Sequence, residues 1–144
     1  MPEVYFELLG ECFDPNAALA SSPLLEFADI QRKGESTGLS RDPVCETSGL
    51  QIWIGGDETA GLEEQIVEAL HFLREDAQEI RRLRDYPGVD YARLRFGDRW
   101  PEGIAAHYPR LPSELLLACG ELGLDIVLSQ YLMEKWKDDE SPSA

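Results

Sequence analysis

Two histidines and three cysteines are the residues on which metal or nucleophilic chemistry would have to rest. His71 and His107 stand far apart, and neither belongs to a His-x-x-x-His or Cys-x-x-Cys spacing, so no metal ligand set is assigned. Cys12, Cys45 and Cys119 are odd in number and widely separated, which reads as reduced thiols and not as a disulfide framework. There is no Gly-x-Ser-x-Gly elbow and no Gly-x-x-x-x-Gly-Lys phosphate loop. Close carboxylate pairs abound, but among 28 acids they arise by chance, and a general acid needs a desolvated carboxyl that no pattern here singles out. Gly55-Gly56-Asp57-Glu58-Thr59 resembles the signature hairpin of diguanylate cyclases. That hairpin needs a strand on both sides, whereas this chain runs through Gly61 into a helix, so the string reads as a turn. No catalytic, cofactor-binding or metal-binding residue is assigned.

What the side chains do offer is charge. The 144 residues carry 28 Asp and Glu against 13 Lys and Arg, a net charge of -15. No base precedes Arg32, and between Asp57 and Glu79 there are eight acids and one base, Arg74. Such a field repels nucleic acid and anionic membranes and draws in basic proteins. The arginines Arg81, Arg82, Arg84, Arg93, Arg95 and Arg99 form the one basic concentration, read as surface pairs with neighbouring acids. No apolar run is long enough to span a bilayer, and the first residues lack the basic and apolar regions of a signal peptide, so a cytoplasmic protein is expected.

The elements that must position these groups follow from periodicity. Val4–Leu9 reads as a strand ended by Gly10, and Asp14-Pro15 starts a short helix stopped by Ser21-Ser22-Pro23. Phe27–Lys33 is a second strand, and Gly34–Ser48 a mobile loop. Leu50, Ile52 and Ile54 alternate on one face of a third strand. From Leu62 a helix buries Leu62, Ile66, Ala69, Leu70, Leu73, Ala77 and Ile80 as one stripe. Its outer side carries Glu64, Glu68, His71, Glu75, Glu79 and Arg82, and Asp76 with Glu79 suggests a break with a new cap. Val89–Phe96 is a strand with Ala92, Leu94 and Phe96 inward and Tyr91, Arg93 and Arg95 outward; Gly97-Asp98 then reads as a turn. Ile104–Tyr108 is a short strand, Leu115–Leu122 a helix stopped by Gly123, and Leu124–Tyr131 a buried strand.

This order predicts an α+β fold: a mainly antiparallel sheet of about five strands with helices on one face. The first six elements take the ferredoxin-like βαββαβ order, extended by a C-terminal helix and strand. Residues 1–133 form a single domain, and 134–144 a flexible acidic tail.

Cys12-Phe13-Asp14-Pro15, Arg32-Lys33-Gly34-Glu35, the Trp53 strand, Leu111-Pro112-Ser113-Glu114 and Leu122-Gly123-Leu124-Asp125-Ile126 with Tyr131, taken in that order, resemble a bacterial family known only as domain of unknown function 4279. The resemblance covers roughly Val4 to Tyr131 and implies no catalytic residues. Small acidic bacterial proteins of this kind look like immunity proteins of toxin systems. The leading expectation is therefore a non-enzymatic protein-binding module, of immunity type, meeting a basic partner through Glu64, Glu68, Glu75 and Glu79. Two alternatives stand beside it. One is a small-molecule-binding domain or enzyme with Trp53, Tyr91, Arg93, Arg95 and Trp100 lining a site on the sheet face. The other is an oligomerising scaffold; the chain's own homo-oligomeric state is not legible.

Overall fold

The computed structural model describes residues 3–34, 47–57 and 59–132. Most of the expected loop (35–46) and the tail lie outside the described residues, as does Cys45. The fold is α+β: a five-stranded mixed sheet, mostly antiparallel, with four helices. The strands are β1 (Glu3–Gly10), β2 (Asp29–Gln31), β3 (Ser48–Gly56), β4 (Tyr91–Trp100) and β5 (Leu124–Leu132). The helices are α1 (Pro15–Ser21), α2 (Leu62–Glu75), α3 (Ala77–Arg84) and α4 (Ser113–Leu122). Across the sheet the order is β2-β3-β1-β4-β5. Every pair is antiparallel except β4 and β5, which are joined through α4 and run parallel, as a crossover helix allows.

One face of the sheet carries the core. Val4, Phe6 and Leu8 of β1 and Ala92, Leu94 and Phe96 of β4 are buried in one cluster with Ile66, Ala69, Leu70 and Leu73 of α2, Ile80 and Leu83 of α3, and Leu115 and Cys119 of α4. The Phe6 and Phe72 rings meet at 5.5 Å. The expected α2 stripe is thus the buried one, because side chains three and four apart share a helical face.

Local caps set the ends. Asp14 Oδ1 accepts the backbone N–H groups of Asn16 and Ala17, opening α1. Gly123 closes α4 at φ 73°, a left-handed conformation that costs a Cβ-bearing residue about 1 kcal/mol or more. The expected break at Asp76 is present, but its side chain caps nothing. Glu79, expected to complete that cap, binds elsewhere.

Four expectations need correction. β5, expected to be buried, is an edge strand, and of its residues 124–131 only Leu124 is buried. β2 is only Asp29–Gln31, because Ala28 N–H is tied back to Leu25 in a turn. Gly97-Asp98 is not a turn: β4 runs straight through to Trp100, paired with β5 from Ala92 to Trp100. Residues 104–108 form no strand. They lie in a segment bounded by Pro101 and Pro109, and Pro has no N–H to give a ladder.

Candidate functional site

The sheet face opposite the helices is ordered in rows, because strand register places every second residue side by side. One row crosses all five strands: Asp29, Gln51, Glu7, Arg93 and Asp125 are successive partners. A second row joins Trp53, Tyr5, Arg95 and Val127, and a third joins Gln31, Gly49, Leu9 and Tyr91. Glu7 stands at the centre and is only 6% exposed. Its Oε1 accepts from Arg93 Nε at 2.6 Å and its Oε2 from Arg95 Nε at 2.9 Å. Arg95 also donates to Gln51 Oε1 at 3.2 Å. Each guanidinium lies over a tyrosine, Arg93 over Tyr91 at 5.6 Å and Arg95 over Tyr5 at 4.9 Å. Burial, then the hydrogen bond to Glu3, pushes the Tyr5 phenol up to about 12. Of the five residues expected on this face, Trp53, Tyr91, Arg93 and Arg95 are there. Trp100 is not: its ring rests on His107 at 5.7 Å and its Nε1 donates to the Ile104 carbonyl. Nor are Arg93 and Arg95 ordinary surface pairs, since they share one nearly buried acid.

The outer side of α2 is the second surface. Glu64, Glu68, Glu75 and His71 are exposed there. Glu64 Oε1 accepts the Gly61 N–H, closing the first turn. Glu68 packs so tightly on β3 that a Cβ at Gly55 would stand 2.8 Å from it, so only glycine fits. Trp53 is 56% exposed at the point where β3 has run past β2. It shares a dent with Asp57, Glu64 and Glu68. Asp57 holds the Thr59 N–H and hydroxyl, which keeps its carboxyl below the usual range, and the chain turns here toward α2; Gly55 and Gly56, expected in that turn, are instead the last residues of β3, paired with Val4 and Glu3. Among the described residues Glu68 and Glu75 have no ion pair, whereas the helix's own cation, Arg74, is bound to Glu114 of α4.

Glu79 belongs to a different setting. It accepts two bonds from Arg82 and one from Ser22 Oγ, tying α3 to the turn after α1. The Arg82 guanidinium first, then the Ser22 hydroxyl, hold its carboxyl at about 2, down from an ordinary 4.5. A depressed folded-state pKa stabilises the fold above the unfolded value and loses that contribution as pH falls toward the folded one. Urea midpoints of the native protein should therefore drop between about pH 4.5 and pH 2 through this group, and Glu79→Gln should flatten that part of the profile.

A third constellation closes the far end of the sheet. Asp98, buried on β4, accepts from Gln130 Nε2 and faces His107 Nε2, both at 3.0 Å. The pair pins the 101–112 segment across a groove of about 710 Å3 whose apolar wall is Leu62, Ile66, Val67 and Leu70. No Ser, Thr, Cys or Lys stands among the described residues that line the groove. Among the described residues no three His, Cys, Asp or Glu side chains converge on a common metal position. Burial pushes the Cys119 thiol up to about 11, which keeps it out of thiolate chemistry. Among the described residues, no helix is long and apolar enough to cross a membrane.

No family model matches this chain, and neither a curated protein nor a solved structure gives a match. The functional reading rests on the residues themselves. Sequence patterning missed Glu7, because its importance comes from two partners more than eighty positions away. It also missed Asp98, hidden inside a Gly-Asp pair that reads as a turn.

Proposed function

We propose that the protein is a non-enzymatic protein-binding module, of immunity type, that receives a basic partner on the outer face of α2. The observation that carries this reading is the charge of Glu68 and Glu75, exposed on α2 with no ion pair among the described residues, Glu68 sharing a dent with the exposed Trp53. Glu64 and Glu68, four apart on α2, repel at a cost of about 0.2–0.5 kcal/mol, which a cationic partner would relieve. An exposed aromatic beside carboxylates also suits an arginine or lysine, which can stack on the ring while pairing with the acid. Glu64 joins this surface while capping Gly61, and a partner approaching along α2 meets that end first. Glu79 contributes field but is already engaged by Arg82. The pairing of β1 with both β3 and β4 supports reading the first six elements as ferredoxin-like.

The test is capture from the protein's own host at low salt, with the native chain and a Glu68→Lys, Glu75→Lys variant compared. The native chain should retain a basic protein whose association rate is at least about 10-fold faster than with the variant, the difference shrinking as salt rises. Equal rates for both chains at low salt would sink the reading.

A further inference from the structure

The open sheet face, on the other side of the sheet from α2, contains a hollow of about 220 Å3. Gly49, between Gln31 and Leu9 in their row, is part of its lining. A Cβ at Gly49 would meet the Leu8 carbonyl oxygen at 2.6 Å and Leu9 Cδ2 at 2.8 Å, so the packing there favours glycine. The walls are the next row of the sheet: Asp29, Gln51, Glu7 and Arg93. This volume lies below the roughly 300–1,000 Å3 of pockets for drug-sized molecules, and suits a compound of few atoms.

The hydrogen-bonding capacity left over around the hollow is polarised. Gln51 must turn its oxygen toward the Arg95 donor, which leaves its NH2 group free to donate. Gln31 must turn its NH2 group toward the Thr47 carbonyl, which leaves its oxygen free to accept. Arg93 spends Nε on Glu7, and its two Nη groups have no hydrogen-bond partner among the described residues. The Asp29 carboxylate, on an exposed residue of β2, has neither a hydrogen bond nor an ion pair among them. Donors thus stand on the β4 and β3 side, and acceptors on the β2 side. The charged side chains that line the hollow are Glu7, Asp29 and Arg93; Glu7 is already engaged by Arg93 and Arg95, which leaves one guanidinium and one carboxylate to face a ligand from opposite sides.

We infer that this hollow binds a small zwitterion of the α-amino-acid class, its carboxylate toward Arg93 and Gln51 and its ammonium toward Asp29 and Gln31. A guanidinium offers a carboxylate two parallel donors, and an ammonium needs only acceptors, which is what each side supplies. The inference does not depend on the α2 surface, and either can fail alone.

The experiment titrates the full chain with each free L-α-amino acid and follows the side-chain amide resonances of Gln31 and Gln51. For any amino acid that binds, the matching amine and the matching carboxylic acid are titrated in parallel. One or more amino acids should shift both amides, with the amine and the acid each weaker by at least about 10-fold, the loss of one charged contact. Asp29→Asn, an exposed change at the end of a three-residue strand, should weaken the amino acid about 10-fold and leave the carboxylic acid unaffected. Silence of both amides with every amino acid at about 20 mM would overturn the inference, since a Kd well above 1 mM is less than about 4 kcal/mol of binding. So would an equal affinity for the carboxylic acid, which would mean a simple anion site, or an Asp29→Asn variant that binds as the native chain does.

Discussion

Glu7→Ala is expected to destabilise the protein by about 3 kcal/mol, measured as the shift in unfolding free energy from urea titrations. Glu7 sits on the central strand with Arg93 and Arg95 partners on β4, and both guanidiniums are themselves largely covered, at 27% and 23% exposure. Removing the acid leaves two neighbouring cations with no ion-pair partner among the described residues, and breaking a buried ionic group from one side costs about 3–5 kcal/mol. The partial exposure of the arginines puts the expected value at the low end, because water screens what remains. The companion variant separates this cause from lost packing. Changing Glu7, Arg93 and Arg95 together to leucine removes the charges as a set, and it should recover most of the loss. A triple variant no more stable than Glu7→Ala would mean that packing, and not the orphaned cations, sets the cost.

That acid also shows what could be read in advance and what could not. The face on which Tyr91, Arg93 and Arg95 lie follows from alternation along one strand, and the structure agrees. The buried stripe of α2 follows from 3.6-residue spacing in the same way. Both are local patterns. The role of Glu7 depends on which strands become its neighbours, and that pairing is a long-range choice that no window along the chain contains. Gln51 and Asp29 enter the same row for the same reason, so the hollow over Gly49 was invisible before the register was known. The Gly97-Asp98 error has a different origin. Gly-Asp favours turns because each residue can satisfy its groups locally. Here Gly97 is satisfied by Gln65 and Asp98 by His107 and Gln130, which removes the incentive to turn and lets β4 continue.

Gln65 is the second residue whose loss should be severe. It lies within the apolar stripe of α2, between Leu62 and Ile66, and is wholly buried. A polar residue there looks like a flaw in the pattern until its partners are known. Its Nε2 donates to the Gly97 carbonyl at 2.7 Å, and its Oε1 accepts the Gly97 N–H at 3.1 Å. β1 pairs with β4 only as far as Val4 opposite Phe96, so Gly97 is the first residue of β4 beyond that ladder. The glutamine amide takes the place of the missing strand. Gln65→Leu keeps the volume but orphans one buried donor and one buried acceptor, each at about 1–3 kcal/mol. The expected destabilisation is about 2–4 kcal/mol in urea titrations, and the Gly97 amide proton should exchange faster by more than its neighbours in β4. Gln65→Glu should also be poorly tolerated, because a carboxylate can accept from the Gly97 N–H but repels its carbonyl. A leucine variant as stable as the native chain would show that β4 closes over the gap by itself, and that the amide is not what carries the strand past the end of β1.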